Sequence, residues 1–201
     1  MAFTFFMRDQ PILDHAVDHL LALAAGRSKI RIWDAGCALG QEPYTLAILI
    51  AEKMGYFGFK TIYIDATDYD EENHFGDTVQ AAEYPQEELQ RIPENLFAKY
   101  FEPSSRAGYF RVVESLRSRV TFRYHNLLSF AQPGNDYSLV VCKNVLLHFS
   151  PEQRLEVLRM FHGALVSGGY LATEQTQKMP LELAASFTQV VADAQLHRKS
   201  G

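Results

Sequence analysis

The segment Asp34-Ala-Gly36-Cys-Ala-Leu-Gly40 stands between the β-rich run Ile30-Arg-Ile-Trp-Asp34 and an apolar-periodic stretch over residues 45–54. Glycines in such a turn let the main chain approach a ligand closely, and the helix behind leaves its first amides unpaired. The dinucleotide fingerprint G-x-G-x-x-G is not matched, because Cys-Ala-Leu fills the interval between the two glycines; an adenosine ligand without a pyrophosphate suits the turn better. The same pattern also serves as a purely structural left-handed turn. A carboxylate adds to the ligand reading. The run Thr61-Ile-Tyr-Ile-Asp65 continues to Thr67 and ends in Asp68-Tyr69-Asp70, and in nucleoside-binding α/β sheets an acid at the tip of the second strand bonds the ribose hydroxyls. Asp68 lies 32 residues beyond Gly36, with the intervening helix and a loop over 55–60 taking up the length. Asp65 and Asp70 are its rivals, each also readable as a surface acid.

The elements that must hold these groups follow from spacing. Apolar residues at 13, 16, 17, 20, 21 and 23/24 predict an amphipathic helix with Gly26 as its stop. Strand, glycine turn, helix and second strand come next. Residues 71–124 read as an insertion carrying helical and β-hairpin structure: it is polar, broken at Tyr84-Pro85 and Ile92-Pro93, and 109–113 and 120–124 look like paired strands. Residues 137–142 form a buried-strand candidate. Ser150-Pro151-Glu152-Gln153 opens a helix with Ser as cap and Pro at the first position, Leu155, Leu158, Phe161 and Leu165 form its stripe, Gly168-Gly169 ends it, and 170–174 is a strand. Strands alternating with helices predict one α/β domain over 1–201, with a mainly parallel sheet whose ligands sit beyond the carboxyl ends of the strands.

Composition narrows the function. With 201 residues, 47% hydrophobic and 21% charged, the chain holds a core without help from metal or disulfide. Its net charge of -5 removes the broad cationic field that sequence-independent nucleic-acid binding needs. No apolar run approaches the ~20 residues of a membrane span, and the aromatic start is interrupted by Arg8 and Asp9, so a cytoplasmic protein is expected. Cys37 and Cys142 have no C-x-x-C partner and read as reduced thiols.

Several segments together carry a resemblance. Thr4-Phe-Phe-Met-Arg8-Asp9, Gly40-Gln-Glu42-Pro-Tyr44, Ala66-Thr-Asp68-Tyr-Asp70, Asn126-Leu127, Cys142-Lys-Asn144-Val-Leu-Leu-His148-Phe149 and Gly168-Gly169 run in the order found in the CheR family of chemotaxis protein-glutamate O-methyltransferases. The chain resembles that family, which belongs to the class I S-adenosylmethionine-dependent methyltransferases, over nearly its whole length. The resemblance implies a seven-stranded, mostly parallel sheet with helices on both faces and a small inserted β-element. It implies S-adenosylmethionine as cofactor, with S-adenosylhomocysteine as product, and receptor glutamate as acceptor. It further implies Thr4 at the cofactor, Ala35, Gly36 and Cys37 backbone at the methionine moiety, Glu42 near its amine, Asp68 on the ribose and Asn126 with Leu127 around the adenine. Cys142, Lys143 and Asn144 would line the fourth strand's end beside the methyl group, and Arg8 would hold the acceptor carboxylate. The implied partner is a chemoreceptor cytoplasmic domain or another acidic protein, with no nucleic acid and no membrane insertion.

Departures from the family pattern leave two rivals: a methyltransferase with a different, smaller acceptor, and an inactive cofactor-binding signalling module. Met7 separates Phe6 from Arg8, Lys143 stands for the usual Arg, and His148 stands for an active-site Tyr, readable either as a polar group or base of the active site or as a structural histidine. The family's N-terminal helical docking domain is expected to be absent. His15 and His19 lie one helical turn apart but lack the H-E-x-x-H glutamate and read as a solvated face. Cys37 and Cys142 are expected near each other at the pocket floor, Phe3, Phe5, Phe6 and Trp33 as core or lid, and the arginines between 106 and 123 as strand-surface charges.

Overall fold

The helical spacing near the start folds as α1 (Gln10–Ala24), with proline in its first turn and Leu13, Ala16, Val17 and Leu20 buried along one side. The computed structural model describes residues 4–71 and 74–201; Phe3 lies outside them. Next come β1 (Ile30–Ala35), α2 (Gln41–Phe59) and β2 (Ile62–Asp68). Gly55, at φ 70°, breaks α2 where the apolar period ends, and further helix follows where a loop was expected. The chain continues through α3 (His74–Ala81), β3 (Glu83–Pro85), α4 (Glu94–Tyr100), β4 (Phe101–Pro103), β5 (Tyr109–Val112), α5 (Glu114–Arg117), β6 (Val120–Tyr124) and β7 (Tyr137–Cys142). It closes with α6 (Pro151–Ala164), β8 (Leu165–Thr173), β9 (Phe187–Gln189) and β10 (Leu196–Lys199).

The main sheet has seven strands in the order β6-β2-β1-β7-β8-β10-β9. The first five run parallel, and β10 is antiparallel to both β8 and β9. Alternation along each strand divides the core by face. Ile32, Ile64 and Val141 pack with Leu13 and Leu20 of α1 and Leu46 and Ile50 of α2. Trp33, Val140 and Leu171 pack on the opposite face with Val157, Leu158 and Phe161 of α6, where the Trp33 and Phe161 rings meet edge to face at 5.0 Å. Trp33 is thus core, and its indole Nε1 donates to Thr67 Oγ1 at 2.8 Å.

Two local expectations change. Residues 120–124 do not pair with 109–113: β6 lies parallel to β2 in the main sheet, while β5 pairs with β3 and β4 in a separate three-stranded antiparallel sheet. Both candidates had the composition of half-buried strands, and partner choice depends on where β2 offers an open edge. The last helix ends at Ala164 rather than at Gly168-Gly169, which lie within β8, Gly168 at φ 74° where the pairing with β7 shifts register.

The small sheet has a positioning role. Tyr84 of β3 donates its hydroxyl to the carbonyl of Leu39 at 2.9 Å, pinning the glycine turn. Phe6, fully buried, meets the rings of Tyr84 and Phe101 at 4.9 and 5.6 Å, so the segment carrying Arg8 is anchored on the same sheet. Among the described residues no helix is long and apolar enough to cross a membrane.

Helix α6 begins with a full capping box: Ser150 Oγ accepts from Gln153 N, and Gln153 Oε1 accepts from Ser150 N. Ser150→Ala should therefore lower stability by about 1 kcal/mol, read as a shift in urea midpoint at unchanged slope.

Candidate active site

Parallel register brings the carboxyl ends of five strands into one row. Cα partners across the sheet are Asp68 with Tyr124, Ala35 with Thr67, Asp34 with Val141 and Cys142 with Thr173. The residues following these ends therefore lie side by side in strand order: His125 and Asn126 after β6, Asp68 closing β2, Gly36 after β1, Lys143 and Asn144 after β7. A cavity of about 450 Å³ opens over the middle of the row, lined by Thr4, Arg8, Gly36, Cys37, Glu42, Asp68, Lys143, Asn144, Val145 and His148 among others. A second, of about 300 Å³, adjoins it toward β6, sharing Gly36, Asp68, Val145 and His148 and adding Asn126, Leu127, Leu128 and Phe149. Together they form a cleft with a polar end and an apolar end.

The glycine turn is built for close approach. Gly36 has φ 98°, and a Cβ there would fall 2.3 Å from Val145 Cγ2. Its amide and that of Cys37 both donate to the Thr67 carbonyl, at 2.8 and 3.0 Å, locking the turn to β2. Of the three rival acids, Asp68 alone lines the cleft. Its Oδ2 accepts from Ala38 N and its Oδ1 from Tyr69 N, both at 2.7 Å, while burial pushes its pKa up against those two bonds. Asp65 is taken by Arg31, Tyr137 and Arg123 at 2.6, 2.8 and 3.2 Å, and Asp70 accepts from Phe75 N at the start of α3.

The polar end centres on Lys143, whose side chain is 1% exposed. Its ammonium lies 3.0 Å from Asp9 Oδ2, 3.3 Å from Glu42 Oε2 and 3.5 Å from the Arg8 carbonyl. Burial raises the pKa of Glu42, and Lys143 opposes that shift. Burial acts the same way on Asp9, but the ammonium and hydrogen bonds from Lys143 and Asn144 outweigh it and hold Asp9 below its ordinary value. Asp34, fully buried in β1, has neither carboxylate oxygen hydrogen-bonded. Burial, then the charge of Glu42, pushes its pKa well up.

Backbone strain gathers at the same place. Met7, Asp9, Ala38 and Asn144 all adopt left-handed φ, between 46° and 61°, a conformation that L-residues avoid at roughly 1 kcal/mol or more each. Met7 N is held by Thr45 Oγ1 of α2 at 3.1 Å, so the turn that presents Arg8 is tied down on both sides.

Most of the expected site residues do meet. Thr4, Arg8, Gly36, Cys37, Glu42, Asp68, Lys143, Asn144 and His148 share the middle cavity, and Asn126 and Leu127 line its neighbour. Ala35 and Cys142 are fully buried and line neither cavity. Cys37 and Cys142 are both free and buried, but they pack in the clusters on opposite faces of the sheet and are not a pair at the floor. His148 is exposed at the junction of the two cavities. Among the described residues no group of His, Cys, Asp and Glu could hold a metal, His15 and His19 included. Three of the basic-segment arginines are paired, Arg111 with Glu83, Arg117 with Glu114 and Arg123 with Asp65. Val145 and Asp9 stand inside the motifs but were assigned no role; their roles exist only through contacts across the chain.

The strand order, with a cleft over the strand ends, is that of the class I S-adenosylmethionine-dependent methyltransferase fold. The fold is shared with magnesium protoporphyrin IX methyltransferase of Synechocystis PCC 6803, whose crystal structure has bound SAM: TM-score 0.53, 15% identity, 96% of this chain and 80% of that one covered. The sequence profile described as "CheR methyltransferase, SAM binding domain" matches residues 2–196, and the chain belongs to that family. It is 36% identical to chemotaxis protein methyltransferase 1 of Pseudomonas aeruginosa, over 88% of this chain and 67% of the relative. It is 35% identical to an uncharacterized 104.1 kDa protein of Rhodobacter capsulatus, over 84% of this chain but 18% of that protein.

Two substitutions probe the buried charges. Lys143→Met leaves the Glu42 carboxylate without its buried counter-charge and should cost about 3–5 kcal/mol in urea unfolding. Asp34→Asn should raise the melting temperature of the free protein at neutral pH by about 3 °C. A carboxyl whose folded pKa is raised favours folding below its unfolded pKa and loses that contribution as pH rises through the folded value, so the gain should vanish in melts repeated in acid.

Proposed function

We propose that this chain transfers the methyl group of S-adenosylmethionine to a carboxylate oxygen of a protein glutamate in the cytoplasm, the acceptor being a chemoreceptor cytoplasmic domain or another acidic protein. The observation that carries this reading is the cleft itself, with a carboxylate at the β2 tip and an arginine from the N-terminal segment on the wall of one cavity. The residues present fit the cofactor. Gly36 offers main chain without a Cβ on the wall shared by the two cavities, Asp68 offers oxygens for ribose hydroxyls, and Leu127, Leu128, Val145 and Phe149 make an apolar slot for adenine. Glu42 and Asn144 would face the methionine end, with Thr4 beside them.

When bound, the cofactor supplies an electrophilic methyl on a sulfonium. An ionised glutamate attacks it through an oxygen lone pair in line with the sulfur–carbon bond, so the acceptor needs no general base, and the protein's contribution is proximity, orientation and exclusion of water. Arg8 suits the orienting task because its guanidinium binds a carboxylate directionally. Lys143 is spent on Asp9 and Glu42 and acts by positioning the segment that carries Arg8.

Calorimetry with S-adenosylhomocysteine should show binding that Asp68→Ala weakens at least tenfold, about 1.4 kcal/mol. Labelled S-adenosylmethionine with receptor cytoplasmic fragments should then leave base-labile methyl ester on glutamate. No binding to the wild type overturns the methyltransferase reading; binding with label only on a small molecule overturns the protein acceptor; binding with no acceptor at all points to the signalling module.

A further inference from the structure

Helices α1 and α6 both begin after a residue suited to cap them, and they use it differently. At α6 the Ser150 hydroxyl accepts from Gln153 N. At α1 the residue in the cap position is Asp9, a preferred type there, yet its side chain makes no capping hydrogen bond. Its backbone is left-handed, at φ 50° and ψ 37°, where a capping residue is normally extended. No acidic residue in the first turn of α1 takes its place.

The carboxylate is turned the other way. Asp9 Oδ2 lies 3.0 Å from Lys143 Nζ and 3.9 Å from Arg8 Nε. Neutralising Lys143 does not require this. Glu42 lies 3.3 Å from the same ammonium with its side chain 12% exposed, whereas that of Asp9 is 50% exposed, and an ion pair with a half-solvated partner contributes little to stability. What the lost cap and the strained residue bring about is found at the neighbouring position. Arg8 stands between two left-handed residues, Met7 and Asp9, and lines the cavity over Gly36 with Asp68 and His148. Met7 N is fixed by Thr45 Oγ1 on one side, and Lys143 reaches both the Asp9 carboxylate and the Arg8 carbonyl on the other. Strain of this kind persists where the surroundings over-determine it, and it gathers where a side chain must be aimed.

We propose that Asp9 is a positioning residue for the methyl acceptor: by leaving the α1 cap for Lys143 it fixes the left-handed turn that aims Arg8 into the cleft. The inference rests on the reading given above of Arg8 as the group that orients a carboxylate. A side chain that could reach only the cap would draw residue 9 into the extended conformation normal for that position, and Arg8 would turn away with it. Asp9 meets neither cofactor nor acceptor in this role, so its effect passes entirely through Arg8.

The test is a titration of the protein saturated with S-adenosylhomocysteine, followed by NMR shifts of the cleft amides, using Nα-acetyl-glutamate amide and its neutral isostere Nα-acetyl-glutamine amide. The wild type should bind the glutamate probe at least tenfold more tightly. Asp9→Ser, which can cap α1 but cannot pair with Lys143, should remove that preference with S-adenosylhomocysteine affinity unchanged and no fall in melting temperature. By charge alone, removing a carboxylate would strengthen the binding of an anion, so a loss reports on geometry. Asp9→Asn, which tolerates the left-handed turn and keeps an acceptor for Lys143, should retain part of the preference. Arg8→Ala should remove it as well, and adding Asp9→Ser to Arg8→Ala should have no further effect. A preference that survives Asp9→Ser, a loss matched by an equal fall in S-adenosylhomocysteine affinity or in melting temperature, or a further effect on the Arg8→Ala background overturns the proposal. No preference in the wild type overturns the carboxylate-acceptor reading and this inference with it, whereas failure of the methyltransferase reading shows separately, as no binding of S-adenosylhomocysteine.

Discussion

The ammonium of Lys143 is the contact on which the polar end of the site depends. A cation placed directly after a central strand, with its side chain removed from water, is tolerated only when carboxylates come to it. Asp9 arrives from the turn before α1 and Glu42 from the first turn of α2. Neither segment is a neighbour of Lys143 in sequence, so satisfying one charge brings three parts of the chain together and sets Arg8 over the sheet. Strained backbone at Met7, Asp9 and Asn144 is held in place by the same assembly. Burial raises the pKa of Glu42, Asp34 and Asp68 together, which marks this end of the sheet as one where stability has been given up for the placement of charge.

Parallel pairing supplies the second constraint. Because β6, β2, β1, β7 and β8 finish in register, the groups that follow them are arranged as a line whose order is the strand order. The apolar slot, the acid at the β2 tip, the glycine turn, the buried lysine and Glu174 succeed one another along it. Three adjoining cavities follow the same line. Along it the lining changes from apolar at the β6 end to acidic at the β8 end. The small antiparallel sheet stands to one side and holds both the glycine turn, through Tyr84, and the N-terminal segment, through Phe6.

Much of this was legible in the residues. The helical spacing of α1, the Ser150 cap of α6 and the strand–glycine–helix order are local patterns, decided by neighbours three or four positions away. Expectations failed where a partner distant in the chain had the deciding voice. Val120–Tyr124 has the composition of a hairpin strand but takes the open edge of β2. Gly168-Gly169 looks like a helix stop yet lies in β8. Cys37 and Cys142 follow or end adjacent strands, but alternation sends them to opposite faces.

By itself, the sequence determined the class of fold, the family and most of the residues from which the cleft is made, because motifs and periodicity are short-range properties written in consecutive positions. Only the tertiary structure decided which of Asp65, Asp68 and Asp70 faces the cleft, since that turned on Arg31, Tyr137 and Arg123 claiming the first and the α3 amide of Phe75 the third. It alone showed Lys143 paired. Burial and ion pairing are fixed by which segments close over a group, and a linear pattern carries no record of that closure.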